Sequence, residues 1–417
     1  MGVRPGHCSF ALPGEASNGF GTARFHLASL TMHIGHYAPD IWAPGGVTSY
    51  MRRVGRAQAA SGDTVAYVGL TDPGPDVPAD LRPTQVRDED ALFRWAQSAQ
   101  LDVLHVHKPL KTRPPRSLPL LRTLHDHAAN CPSGSRYLAR SQRPCNRVSG
   151  VGACTWGYLV DDCGSLRPST ARRNVTRFRR EHHTLKTVTM HAVSNHVKER
   201  MVADGYEAGR IHVLHSPAPP LTPSYDPPPR SGPPRFLFLG RIVPEKGLAP
   251  LLRALSRLPD TVKLDVAGEG HQRPAMQTLS ARLGLEDRVT FHGWLGPDQL
   301  ADRIRQARAV VFPSLWNEPA GLISLEAAAA GRAVIASRVG GIPEYASEDF
   351  ALLTPSGSPS ALADAMSTLA TDYEKAAELG HAGRRLVADR FSMDRFLSGL
   401  RALYQVVREQ PLSPVSS

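Results

Sequence analysis

Short runs rich in valine, leucine and isoleucine alternate with helical patterns along most of this chain, and that alternation constrains the fold more than any other feature. In the first half the runs are SLTMHIG, TVAYVGL, DVLHVHK, LLRTLHD, TVTMHAVS and RIHVLHS. In the second half they are RFLFLGR, VKLDVAG, RVTFHG, ARAVVFPS, AVIAS and FALLTP. Such alternation argues for βαβ units and parallel sheets. Between the halves stands SPAPPLTPSYDPPPRSGPPR, residues 216–235, whose prolines remove ladder donors and stop helices. The pattern predicts an α/β protein of two doubly wound, Rossmann-like domains facing a central cleft. The expected boundaries are an N-terminal arm over 1–23, a first domain over 24–216, a linker over 217–234, a second domain over 235–390, and a helix and tail over 391–417. From about Tyr373 to Val407 the pattern reads as helix.

A length of 417 residues suits two domains with ordinary cores. Hydrophobic residues at 41% and charged residues at 21% exclude a disordered or fibrous chain. No apolar run approaches the roughly 18 residues that cross a bilayer. The first 23 residues have neither an apolar h-region nor a dense basic start, so a flexible arm and a cytoplasmic protein are expected. Five cysteines do not make a disulfide-dense scaffold. The net charge of +11 favours anionic partners: phosphorylated small molecules, an acidic membrane surface or nucleic acid.

In sheets of this kind ligands bind beyond the carboxyl ends of the strands, and one such end carries FPSLWNEPAGLISLEAAAAG. The stretch reads as strand, loop and helix, with Gly331 as a C-cap. Glu318 falls in the loop and Glu326 on the helix. The free amides of Ala320, Gly321, Leu322 and Ile323 and the helix dipole would receive an anion there, and Gly321 permits close approach. A phosphate so held would leave Glu326 to accept from one neighbouring sugar hydroxyl and Glu318 to reach the group beyond. A glutamate near a helix start also serves as simple dipole compensation.

NEPAGLISLEAAAAGRAVIASRVGGIPE resembles the donor-site segment of retaining glycosyltransferase family 4, among the glycosyl transferases group 1, which have the GT-B fold. FLFLGRIVPEKGLAPLLRAL is similar to its phosphate-binding segment, and LDVAGEGHQRPAMQTLSARLGLEDRVTFHGWL to the strands and base-binding loop that follow. The first half matches more loosely, through GGVTSY, DVLHVH, TLHDH and VSNHVKERM. The resemblance implies a nucleotide-sugar donor in the second domain, a UDP-sugar first and a GDP-sugar second, and an acceptor met by the first domain. It implies that Arg241 and Lys246 clamp the diphosphate, that Glu326 binds the ribose and Glu318 the transferred sugar, and that the base rests on Gly293, Trp294 and Leu295. A single Trp more often packs into a core, so stacking by Trp294 stays open. Gly45 and Gly46 would let helix-start amides approach the phosphate, and His125 matches the family's histidine near the donor sugar. Asp126 and His127 are weaker candidates, and His105 and His107 read as packing or cleft lining. Two cations and a helix N-terminus can stand in for a metal, and no Asp-x-Asp signature follows a strand. The family's usual front-face mechanism needs no general base. The acceptor implied is a glycan, a lipid-linked sugar or a small molecule.

Two features depart from the pattern. His215 and Ser216 stand where many members have Asn-Gly after the last first-domain strand. An insert over 128–180 carries Cys131, Cys145, Cys154 and Cys163, whose spacings lack a CxxC knuckle, so free thiols, disulfides and a Zn²⁺ site all stay open, with metal the least favoured. The insert ends in RPSTARRNVTRFRREHH, a basic helix-like face for solvent, an acidic acceptor or anionic lipid at the inner face of a membrane. Rival readings are a nucleotide-sugar epimerase, an α-glucan synthase, whose Lys-Thr-Gly-Gly-Leu start is missing, and a non-catalytic sugar-nucleotide binder. A nucleic-acid binder has the charge alone in its favour.

Overall fold

The computed structural model describes residues 31–409 apart from 44, 75–76, 78–80, 82 and 222–224. The expected arm over 1–23, part of the linker and the last residues of the tail lie outside the described residues. All that follows concerns the unit Met32–Ser417.

The first lobe is built on β1 (His33–Tyr37), β2 (Thr64–Gly69), β3 (Pro83–Gln85), β4 (Val103–Val106) and β5 (Leu120–Leu124). A small hairpin of β6 (Tyr137–Leu138) and β7 (Arg143–Pro144) follows, then β8 (Thr189–Ala192) and β9 (Ile211–Val213). The second lobe holds β10 (Arg235–Leu239), β11 (Lys263–Ala267), β12 (Val289–Gly293), β13 (Ala309–Phe312), β14 (Ala333–Ser337) and β15 (Ala351–Thr354). The first sheet runs β3-β2-β1-β4-β5-β8-β9 and the second β12-β11-β10-β13-β14-β15. Every pairing within these two sheets is parallel. The twelve runs in the sequence correspond to twelve of these strands. The others, β3 and the β6–β7 hairpin, are two or three residues long and show no period.

The first strand of each sheet lies inside it, with the chain leaving to one side and later returning to the other. That reversal opens a crevice at the strand ends. Gly45 and Gly46 follow β1, and Arg241 and Lys246 follow β10, on the chain leaving those strand ends.

The C-terminal pattern does not form one helix. Helix Tyr373–Arg390 stops at Phe391 and a second, Met393–Glu409, follows. Ser392 restarts it, its hydroxyl accepting from the amide of Arg395 at 3.4 Å. The break lets the last helix cross back to the first lobe, where Phe396, Leu400, Leu403, Tyr404 and Val407 join a cluster with Met32, Ile34, Tyr50, Met51 and Val54. Burial of that apolar stripe outweighs continuing the helix.

Candidate functional site

A cavity of about 370 Å³ opens at the carboxyl ends of β10, β11 and β12, lined by Gly240, Arg241, Glu269, Trp294, Leu295, Ile323 and Glu326 among others. Gly240 at φ 139° and Gly268 at φ 144° form its floor in a backbone region closed to other side chains. Gly293 turns the chain at φ 75° into the loop that presents Trp294. Trp294 is not a core residue: 72% of it is exposed, at the cavity wall. Helix Leu322–Ala329 begins after Gly321 with no side chain capping it, so its first amides stay available to a ligand. This helix is shorter than the run from Ala320 to Gly331 suggested. Burial pushes the Glu326 carboxyl above its ordinary range, and Arg53, from the first lobe, pulls it back.

Lys246 and Glu318 form a close ion pair. Lys246 Nζ stands 2.6 Å from Glu318 Oε1, with the two side chains 14% and 7% exposed. Ser314 Oγ donates to the same oxygen at 2.7 Å. Arg241 is free-standing by comparison, its guanidinium 3.8 Å from Glu245. The loop bearing Glu318 is clamped from beneath by the Gly340–Gly341 pair: the Gly341 amide donates to the Glu318 carbonyl at 2.7 Å. A Cβ on Gly340, at φ 61°, would stand 2.5 Å from both the nitrogen and oxygen of Glu318. Gly340→Ala is therefore expected to displace Glu318 and cost at least about 1–2 kcal/mol of stability, read as a lowered urea midpoint. An unchanged midpoint would show that the loop shifts freely.

From the first lobe, helix Gly46–Ala60 starts at Gly45 with extended backbone and no side-chain cap, and the space beside Gly46 is open. His125 follows β5, its Nε2 held at 2.9 Å by His107 Nδ1. Burial, then the charges of Arg122, His191 and Lys108, holds its pKa well below the ordinary value. His127 Nε2 donates to the carbonyl of Asn317 at 2.6 Å, joining the first lobe to the Glu318 loop. Asp126 Oδ1 accepts from the Ala128 amide at 2.9 Å, a local turn contact. His105 and His107 are fully buried.

The sequence reading missed Glu344, in the GGIPE stretch. Its carboxylate accepts from the amides of Asn195 and His196 at 2.7 and 2.9 Å and meets His215 Nε2 at 2.9 Å. Burial alone would raise this carboxyl, but the hydrogen bonds from His215, His196 and Asn195 hold it below the usual range. Ser194 Oγ donates to the carbonyl of Pro319 at 2.6 Å. The departure at His215 thus latches the lobes beside the cleft. A glutamate one turn past a glycine pair was the available signal, and its partners lie about 130–150 residues away.

Cys131, Cys145, Cys154 and Cys163 all line one cavity of about 30 Å³, each as a free, half-buried thiol. Burial first, then the neighbouring thiols, pushes Cys163 up to about 12. The buried ion pair Arg136–Asp204 holds the insert to the lobe, and Arg122–Glu181 ties the helix at its end to β5. Helix Pro168–Leu185 realises the basic stretch.

Two Rossmann-like lobes with a shared cleft define a GT-B protein. Residues 226–386 match the family profile of the glycosyl transferases group 1. That match takes in most of the second lobe and none of the first. It is 35% identical over 184 residues to a D-inositol 3-phosphate glycosyltransferase of Xylanimonas cellulosilytica, covering 43% of this chain and 44% of the relative. It is 36% identical over 181 residues to a protein of the same name from Streptomyces avermitilis, covering 40% and 39%. The chain thus spans less than half the length of these curated relatives. Among solved structures, sucrose-phosphate synthase from Thermosynechococcus elongatus superposes with a TM-score of 0.69 at 22% identity, covering 90% of this chain and 99% of that one. Anabaena HepE, solved with UDP and glucose, gives 0.63 at 16%, covering 90% and 99%. At such identities the likeness speaks for the fold.

Proposed function

We propose that the chain is a retaining, metal-independent glycosyltransferase that moves a sugar from a nucleotide diphosphate to an acceptor. The observation that carries this reading is the second-lobe cavity, which gathers an exposed arginine, a carboxylate, an exposed indole and an uncapped helix start around one volume. Arg241 would neutralise the diphosphate with the amides from Ala320 to Ile323, Trp294 and Leu295 would cover the base, and Glu326 would accept from the ribose. The leaving diphosphate gathers charge as the glycosidic bond breaks, so cations already in place lower that barrier. Lys246 would exchange part of its contact with Glu318 for the phosphate, freeing Glu318 for hydroxyls of the transferred sugar. Front-face attack, with the departing phosphate taking the acceptor proton, needs no further base. A UDP-sugar is the first donor to test and a GDP-sugar the second; HepE, of the same fold, was solved with UDP and glucose.

The acceptor would be met by the first lobe and its insert. Val148, Val151, Trp156, Leu159 and Leu166 of the insert are exposed, beside the basic helix Pro168–Leu185. Apolar anchors flanked by arginines suit a lipid-linked sugar at an anionic membrane surface. Among the described residues no helix is long and apolar enough to cross a membrane.

Thermal unfolding with UDP, GDP, ADP, TDP and their sugar conjugates, without added metal, tests the donor reading. At about one hundred times Kd, a ligand that binds only the folded chain adds about 2.7 kcal/mol. A clear rise with one base names the donor class. No rise with any of them, repeated with Mg²⁺, overturns the assignment.

A further inference from the structure

Donor atoms of His36, His105 and His107 lie within 4.8 Å of one another in the core of the first lobe, close enough to share a cation. All six of their ring nitrogens, however, are committed to hydrogen bonds. His36 pairs with Gln58 at 2.7 Å and His107 at 3.0 Å, and His107 with His125 at 2.9 Å. His105 pairs with Tyr404 at 2.8 Å and Thr123 at 2.6 Å. Thr123 continues to His191 at 2.9 Å, His191 to the Leu214 carbonyl at 2.7 Å, and Gln58 Nε2 to Tyr404 at 3.0 Å.

These contacts form one line from the cleft to the end of β9, and only one direction of donation satisfies them. The Leu214 carbonyl can only accept, so His191 carries its proton on Nε2. A neutral His191 then accepts at Nδ1 from the Thr123 hydroxyl, whose oxygen accepts from His105 Nε2. His105 Nδ1 in turn accepts from Tyr404, whose oxygen accepts from the Gln58 amide NH₂. That leaves the Gln58 oxygen to accept from His36 Nε2, His36 Nδ1 from His107 Nε2, and His107 Nδ1 from His125 Nε2. The rings are neutral because burial holds their pKa values down, to about 4 for His36 and His191 and well below ordinary for His105, His107 and His125.

We propose that this relay is a positioning device: it fixes His125 as the Nε2–H tautomer, leaving Nδ1, which has no partner among the described residues, as a hydrogen-bond acceptor for a ligand hydroxyl, with Gln58 as the residue that carries the direction from the Leu214 end to the cleft end. The part about a ligand rests on the donor reading above; the direction of the relay does not. Aligned bonds of this kind strengthen one another, so the tautomer is held more firmly than by one contact. Tyr404 brings the C-terminal helix into the line.

The test is long-range ¹H–¹⁵N correlation of the histidine-labelled chain at neutral pH, which reports which ring nitrogen carries the proton. All five histidines, 36, 105, 107, 125 and 191, should show a protonated Nε2 and a bare Nδ1. Any of them protonated on Nδ1 overturns the relay. In Gln58→Leu, His36, His107 and His125 should lose their single tautomer while His105 and His191, anchored at Leu214, keep theirs; uniform change in all five would mean general loosening and would overturn the role of Gln58. The same variant should lower kcat about tenfold with little change in donor KM, and full retention of kcat would remove the link to the site. The spectrum of the unmodified chain decides the direction even if Gln58→Leu does not fold, and it stands whether or not donor binding is found.

Discussion

Lys246→Ala is expected to weaken nucleotide-sugar binding at least tenfold to one hundredfold and to lower stability by about 3 kcal/mol. The first figure follows from losing a charge-assisted contact to phosphate, worth about 1.5–3 kcal/mol. The second follows from the ligand-free geometry, in which Lys246 is the cation paired with Glu318, a carboxylate with a side chain only 7% exposed. Removing one partner leaves a covered charge uncompensated, at a cost of about 3–5 kcal/mol for a fully buried pair. Ser314, which still donates to Glu318, and the residual exposure put the expected value at the low end. Calorimetric titration of the donor with urea unfolding of the same variant separates the two effects. Unchanged affinity would remove Lys246 from the donor site; unchanged stability would mean that water replaces the ammonium.

Acid is expected to unfold this protein well above the range of ordinary carboxylates. His36 and His191 are fully buried and lowered from 6.5 to about 4 by burial. Below pH 6.5 the unfolded chain takes up protons that the folded chain refuses, so stability falls as pH falls, and the loss is complete only near pH 4. At pH 5, one and a half units below 6.5, each such group costs about 2 kcal/mol at 1.36 kcal/mol per unit. These two alone give about 4 kcal/mol, and His105, His107 and His125 act in the same direction. Glu181 and Glu326, pushed up by burial, work the other way and gain protons on folding. Urea midpoints at pH 7.5 and 5 measure the balance, and a midpoint unchanged between them would mean that water reaches the histidine core.

The sequence by itself determined the two parallel sheets and the loops after β10 and β13, because those are local properties: a buried strand has a run of apolar residues, and a loop that must pass close to another backbone has glycine. That Arg241, Lys246 and Glu318 follow such strands was legible for the same reason, whereas their roles, and that of Glu326, came from the resemblance. Pairing is not local. That Lys246 spends its charge on Glu318, that Glu344 latches Asn195, His196 and His215, and that Trp294 stands exposed depended on which surfaces the folded chain brings together. The histidine line is the clearest case. Residues 36, 58, 105, 123, 191 and 404 share no spacing in the chain, and the alternating His105 and His107 read simply as packing. The tertiary structure alone decided their meeting, because a buried ring nitrogen without water must find a polar partner wherever the packing offers one.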